Sequence, residues 1–590
     1  MPPESSPSFI ARLRQLLGAA ETEPTARALR PWFALAMLYA VGCAILALRQ
    51  AFASPYMLAD DAREHVFWMF RFINPGFFPQ DSMADYFQSL APNGYAGLYW
   101  LLSRAGLDPL LASKLLPSVL SLVATGYFFH LAARFFRSPA AATLGAVLFA
   151  QCLWLNSDLA SATPRAFFYP LFVAFLYYQM RRSALGVLVT ISLAALFFPP
   201  AALLSLGVMG ADCLQWKGGL KIYPATGAQV YLVFAAAIGL TLLCLWPYFH
   251  QVQAFGPLVT YAAALQMPEF GVEGRVPVFL PSWWGYWVGG NAGIHNLPTR
   301  PPWFLAALLW PVLRHFPDRF PLLKAVPSGA RPVPQIIGAS LFLFFSAHLL
   351  LFQLYLPNRY TQSVTRVLLT LLAAGVLLAL ADAALLWAGK RFGGQRSTGK
   401  ITVAILAVLF AATVSYPLLV SVFPTAGYLA GTDSGLYQFF ARQPATIRIA
   451  SVADEANNLP LLCQRSIIAG AECAVPFHLG YYLPLRERGR QIARAQYTAD
   501  STVLEKCVQD QKIDFWLLDR AAFAERYWRK SRLLRQLRLS PPDDTLGIAA
   551  PGMTPLLARA PRAAIAYEDA RFIVLDARRL SLKQNTSADK

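Results

Sequence analysis

Met57-Leu58-Ala59-Asp60-Asp61-Ala62-Arg63-Glu64-His65 sets two adjacent carboxylates about ten residues beyond the first membrane-length apolar run of the chain, 31–49. Ten further apolar runs follow, at 111–134, 139–155, 166–180, 183–199, 200–215, 228–249, 302–314, 334–356, 364–388 and 401–422, so the acidic pair stands at a membrane–water boundary beside a large hydrophobic bundle. Most of these runs approach the ~20 residues a helix needs to cross a ~30 Å hydrocarbon layer. Those at 166–180, 200–215 and 302–314 are the weakest spans.

Composition points to the same class. A chain with 56% hydrophobic and only 14% charged residues, at a mean hydropathy of +0.43, has too little charge to cover a soluble surface. An α-helical polytopic membrane protein of about eleven spans is expected. Its orientation follows from the basic residues, which are retained on the cytoplasmic side. Arg12, Arg14, Arg27 and Arg30 precede the first run; Arg134 and Arg137, Arg181 and Arg182, and Lys217 and Lys221 follow the second, fourth and sixth. Arg314, Arg319, Lys324 and Arg331 follow the eighth, and Lys390, Arg391, Arg396 and Lys400 the tenth. Every even-numbered exit is basic, which places residues 1–30 in the cytoplasm and the C-terminus outside. The first run lies behind some thirty polar residues without a small-residue cleavage site, so it reads as an uncleaved anchor in a bacterial-type inner or plasma membrane. The net charge of +19 is largely spent on these connectors, and no dense basic run with interleaved aromatics exists to favour nucleic acid.

The bulk of the non-membrane chain then lies outside: loops 50–110 and 250–301 of a membrane module spanning 31–424, short turns at 156–165 and 357–363, and a domain at 425–590. No nucleotide fingerprint such as G-x-x-x-x-G-K-[ST] occurs. An enzyme on that face needs a substrate activated on a lipid carrier. Residues 60–72, rich in Phe and Trp, read as an amphipathic helix lying in the interface, with Asp61 and His65, and Asp60 and Glu64, one turn apart. Two readings of Asp60-Asp61 stand side by side: a cap on that helix, which needs one carboxylate, and a site that uses both.

Arg165 closes the turn Asn156-Ser157-Asp158-Leu159-Ala160-Ser161-Ala162-Thr163-Pro164-Arg165, and Arg359 sits in Leu356-Pro357-Asn358-Arg359-Tyr360 at the mouth of the tenth span. Both are on the side basic residues disfavour. Either each pairs with a carboxylate or snorkels to headgroups, or their planar forks bind phosphate. In loop 250–301, Glu269 and Arg275 are weaker candidates for the same cavity. The cluster Trp283, Trp284, Tyr286 and Trp287 reads mainly as an interfacial anchor, with sugar stacking as the other use.

The region 425–590 reads as a small extracytoplasmic α/β domain, with apolar stretches at 447–452, 465–469, 514–518 and 571–575 and helix-like segments at 433–442, 501–510 and 521–538. It shows no nucleophile elbow, zinc spacing or carboxylate pair, so binding or regulation is expected there. Cys43, Cys152, Cys213 and Cys244 fall in apolar runs as packing residues. Cys463, Cys473 and Cys507 lie where a disulfide is permitted, with Cys463–Cys473 the expected pair.

This layout resembles the GT-C superfamily of membrane glycosyltransferases, with organisation similar to the protein O-mannosyltransferases and aminoarabinose transferases. The shared features are an acidic pair close to the first span, here Asp60-Asp61, an interfacial helix, here roughly 60–72, and an outer domain. The resemblance covers about 30–420. It implies an inverting sugar transfer from a polyprenyl-phosphate-type donor to an extracytoplasmic glycan, lipid or protein. Asp61 would take the acceptor proton with Asp60 orienting it, Arg165 and Arg359 would hold the donor phosphate, and His65, Glu64, Glu269, Arg275 and Tyr360 would be candidates to line the cavity. The oligosaccharyltransferase branch holds a divalent metal with such carboxylates; no metal or other cofactor is expected here. The Trp-Trp-Asp signature of that branch is missing, Trp283-Trp284 being followed by Gly285, which disfavours protein N-glycosylation. The rivals are a flippase of lipid-linked glycans, for which Asp382 is the main acidic residue inside a run and has an ordinary explanation in snorkelling, and a non-catalytic subunit of an envelope assembly.

Overall fold

Among the described residues, helices Ala26–Ala51, Pro109–Phe136, Ala228–Pro247, Pro332–Leu349 and Pro357–Gly389 are long and apolar enough to cross a membrane. Shorter apolar helices, among them Pro139–Trp154, Ala184–Phe197, Pro302–Leu313 and Lys400–Val414, lie with them. The computed structural model describes residues 9–18, 23–216, 222–225, 227–294, 301–324, 332–391, 396–524, 527–538 and 554–580. Lys217, Lys221 and Arg331 of the basic connectors lie outside them.

Local sequence explains where the helices begin. Asp108 and Ser138 each stand before a proline and cap the following helix, accepting from Leu111 N at 2.9 Å and Ala141 N at 3.2 Å. Ala26–Ala51, Pro139–Trp154 and Phe168–Met180 pack around Pro109–Phe136. Gln151, fully buried, ties three helices by donating to the Tyr39 hydroxyl at 2.8 Å and the Thr413 carbonyl at 2.7 Å. At Gly375 a Cβ would lie 2.3 Å from the Phe136 ring, so glycine is what lets those two helices approach. Apolar side chains such as Leu38, Leu185 and Phe342 point out of the bundle, as a lipid-facing surface requires.

The first loop departs from its expected form. Residues 60–72 are not one amphipathic helix: an α-turn, Ala62–His65, gives way at Val66 to a 3-10 helix, Phe67–Phe72. Phe67, Trp68, Met69 and Phe70 are buried in the protein, because the helix Ser82–Leu90 folds back and sets Phe87, with the nearby Phe78, edge-on against Phe67. The run at 302–314 is also irregular, a 3-10 helix Pro302–Leu309 running into Trp310–Leu313. Asp382 does not snorkel; its carboxylate accepts from Arg14 Nε at 2.8 Å, drawing in the N-terminal helix Phe9–Leu17.

The strands are β1 Met57–Ala59, β2 Leu214–Trp216, β3 Ile222–Pro224, β4 Tyr428–Ala430, β5 Arg448–Ala450, β6 Ser466–Ile467, β7 Phe515–Asp519, β8 Ile565–Glu568 and β9 Phe572–Asp576. A five-stranded sheet in the order β6-β5-β7-β9-β8 forms the C-terminal unit, parallel across β6, β5 and β7 and antiparallel beyond. Helix Leu479–Tyr497, unmarked by the sequence pattern, is its longest helix. The segment 521–538 breaks into short helices, Tyr527–Lys530 and Arg532–Gln536. β4 leaves this unit to pair antiparallel with β1, Leu58 opposite Leu429, directly before the acidic pair. The expected Cys463–Cys473 disulfide does not form: all seven cysteines are free. Cys463 faces the Tyr437 carbonyl, whereas Cys473 lies beside Tyr481, Asp81 and Glu64.

Candidate active site

Two 3-10 turns, each opened by a proline, place the arginines: Pro164–Phe167 carries Arg165 and Pro357–Tyr360 carries Arg359. Proline suits this position because its missing N–H would have no partner there. Tyr360 fixes the second turn, its hydroxyl donating to the Leu354 carbonyl at 3.0 Å while its own carbonyl accepts from Ser340 at 2.6 Å. Tyr360 is therefore a structural residue, buried and spent on the backbone, and does not join the charged groups.

The acidic pair diverges. Asp61 accepts from Arg165 Nη2 at 3.3 Å and its side chain is 34% exposed. Asp60 turns away and pairs with Arg63. Asp61 stands at the start of the Ala62–His65 turn without capping it, so the capping reading fails for its side chain. Arg165 reaches a second carboxylate, Asp158, at 3.4 Å through Nε, and Asp158 in turn is held by Arg366 and accepts from Tyr169 at 3.3 Å. Burial would raise the Asp158 carboxyl, yet Arg366, Arg165 and Arg359 outweigh it and hold the group well below the usual carboxylate range.

Arg359 differs from its neighbours. It is half-buried within electrostatic reach of Arg165, Asp158 and Asp61, but among the described residues it forms no ion pair. Its guanidinium lies over the Tyr355 ring at 5.7 Å; its Nε is buried without a hydrogen-bond partner, as are those of Arg165 and Arg366, so the missing ion pair is what separates it from them. A buried charge without a counter-charge is costly to hold. Asp61 and Asp158 against Arg165, Arg359 and Arg366 leave one positive charge. His65 adds none at neutral pH, because burial, helped by Arg165, Arg275 and Arg359 against the pull of Asp61, lowers it to about 4.

The other expected cavity residues are engaged in pairs of their own, Glu64 and Arg275 still within electrostatic reach of Asp61. Glu64 is buried against Arg275, and burial, with Asp61 and Glu472 adding to it and Arg275 opposing, pushes its carboxyl up to about 8. Glu269 accepts from the Tyr482 hydroxyl at 2.6 Å and pairs with Arg486 at 3.4 Å. The carboxylates do not fit a metal either: Asp61 and Asp158 close on Arg165 instead of converging, and no group of three acidic, His or Cys side chains among the described residues could hold an ion.

Sequence reasoning missed Asp158 and Arg366. Asp158 stands in the same turn as Arg165, and Arg366 is an ionisable residue inside an apolar run, a signal that by itself marks function. Glu472 carried no local signal, since its partners are up to 409 residues away.

The sequence matches no family model and no curated protein. Solved structures do resemble it. The apo oligosaccharyltransferase of Archaeoglobus fulgidus aligns at a TM-score of 0.50 and 13% identity, over 89% of this chain and 72% of its own. The same enzyme tethered to an acceptor peptide gives 0.45 and 11%, over 85% and 72%. An arabinofuranosyltransferase from Mycobacteria gives 0.48 and 12%, over 85% and 36%. The first of these bears on architecture, and at 13% identity architecture is all it carries. The chain thus shares its architecture with that archaeal membrane enzyme, and the apolar helices make the chain an integral membrane protein.

Proposed function

We propose that this protein is a membrane glycosyltransferase that moves a sugar, with inversion, from a polyprenyl-phosphate-type lipid to an extracytoplasmic acceptor. The N-terminus lies in the cytoplasm, and the sheet unit and the acidic pair lie on the opposite face. The observation that carries the reading is Arg359, a half-buried guanidinium without an anion, set beside the Asp61–Arg165 pair on a GT-C-type fold.

The acceptor hydroxyl oxygen attacks the anomeric carbon while its proton passes to Asp61, the most exposed carboxylate of the cluster formed with Asp158. The bond from that carbon to the phosphate oxygen breaks, and the charge that develops on the departing phosphate falls to Arg359 and Arg165. Cations held there in advance stabilise that charge more than they stabilise the bound donor. Asp158 and Arg366 hold Arg165 in place, and Asp60 serves the loop instead of the reaction. The test is mass spectrometry of lipid-linked sugars and surface glycans in cells carrying the wild type, a deletion or Asp61→Asn at matched protein levels. Asp61→Asn should reproduce the deletion, with a donor lipid accumulating and one sugar missing. A wild-type profile in Asp61→Asn, beside an altered one in the deletion, would assign the protein to transport or assembly instead.

A further inference from the structure

The turn that carries Asp61 has only four residues, Ala62–His65, far too short to hold itself. β1 fixes the chain before it through β4. What fixes the turn is a buried ionic cluster drawn from three distant segments. Arg63, 5% exposed, donates to Glu472 at 2.9 Å and to the Asn458 side chain at 3.3 Å. Glu472, 3% exposed, also takes Arg275 at 3.0 Å and pairs with Arg532, while Arg275 takes Glu64. Glu472 is thus a carboxylate shared by the first loop, the second loop and the C-terminal unit.

Its place in the sheet is informative. β5 lies between β6 and β7, so the chain leaves β5 to one side and returns on the other, and the crevice past the carboxyl ends of such strands is where open α/β sheets ordinarily bind ligands. Asn458 follows the carboxyl end of β5, and Glu472 follows that of β6. In this protein both are turned onto Arg63 of the catalytic loop.

We propose that Glu472 is a positioning residue for glycosyl transfer: the C-terminal unit uses the carboxyl edge of its sheet to clamp Arg63 and Arg275, and so holds Asp61 at the distance from Arg165 that transfer needs. This rests on the glycosyl-transfer reading above. Neutralising Glu472 leaves Arg63 only the half-exposed Asp60 and the Asn458 amide, and Arg275 only Glu64, so the tie from the C-terminal unit to the turn is weakened and the turn should loosen.

The test uses the full chain in detergent, with the lipid-linked fraction that accumulates in deletion membranes as donor and farnesyl phosphate as competitor. Glu472→Gln should lower kcat at least tenfold and raise amide exchange across 57–66, with the farnesyl phosphate inhibition constant unchanged because Arg359 and Arg165 are untouched. Glu472→Asp should recover part of kcat. Unchanged exchange, unchanged kcat, or a loss expressed only as weaker inhibition by farnesyl phosphate would each overturn the proposal. If Glu472→Gln does not yield folded protein, the charge-balanced pair Arg63→Gln with Glu472→Gln gives the same readings. Asp61→Asn run in parallel separates the two ideas: its full activity would sink the catalytic assignment, while exchange across 57–66 would still judge the clamp.

Discussion

Arg359 and Arg366 sit seven residues apart on one helical segment, both beside Asp158, yet their replacement by glutamine should act in opposite ways. Arg366 is 6% exposed and paired with Asp158, itself 8% exposed. Removing one partner of a buried pair costs about 3–5 kcal/mol. Arg165 still reaches Asp158 at 3.4 Å, so the lower end of that range applies, and Arg366→Gln should reduce the thermal midpoint in detergent by several degrees. Arg359 has no carboxylate to strand, and its contact with Tyr355 is worth roughly 1 kcal/mol, so Arg359→Gln should leave stability within about that margin. Its loss should appear with the ligand. A charge-assisted hydrogen bond contributes about 1.5–3 kcal/mol, and each 1.4 kcal/mol is tenfold, so binding of a polyprenyl phosphate should weaken about ten- to a hundredfold. The assay is the rise in thermal midpoint on titration with farnesyl phosphate, set beside its inhibition of transfer. Arg359→Lys should recover only part, having the charge without the fork. If Arg359→Gln unfolds the protein while leaving farnesyl phosphate affinity intact in what remains folded, Arg359 is structural and the phosphate assignment falls.

Asp60→Asn should retain most transfer, because Asp60 is 52% exposed and turned to Arg63; a loss equal to that of Asp61→Asn would refute the division of labour drawn here. Replacing Arg14 by Gln leaves Asp382 buried without its partner and should lower the thermal midpoint without altering transfer per folded molecule, as activity normalised to folded protein will show. The pH dependence of stability has two opposed parts. His65 titrates near 4 in the fold against about 6.5 unfolded, so its share is present above 6.5 and lost as pH falls towards 4; His65→Gln should flatten that limb. Glu64 is shifted up to about 8 against about 4.3 unfolded, so its share is full below 4.3 and lost as pH rises through 8; thermal midpoints of Glu64→Gln across pH 6.5–9 should decline less than those of the wild type.

The features that could be read directly are those set by short-range physics. Apolar runs mark helices because the hydrocarbon of a bilayer admits no unpaired backbone, and the run at 228–249 is helix Ala228–Gln251 almost residue for residue. Asp61 and Arg165 were legible together because each is a charge at a membrane boundary, where charge needs a reason, and the fold brings them to 3.3 Å. The interfacial helix at 60–72 misled for a physical cause: a cluster of Phe and Trp is equally suited to headgroups and to a protein interior, and only the return of Ser82–Leu90 decides between them. Glu269 and Tyr360 misled because proximity to a loop says nothing of which way a side chain faces: Tyr360 is spent on the Leu354 carbonyl, and Glu269 turns its Oε1 to Tyr482 and Arg486.

What stayed hidden is the set of long-range charge pairs. Arg63 and Glu472 are ordinary residues in sequence, and only their burial at 5% and 3% makes them exceptional, since two charges leave water together only when each closes on the other. The same rule gives Arg359 its meaning. Around it Arg165, Arg366, Arg63 and Arg275 are each matched to a carboxylate, so the protein can satisfy buried guanidinium groups where it needs to. One arginine kept without an ion pair among them, at the point where Asp61 is also accessible, is the feature on which the proposed phosphate role rests.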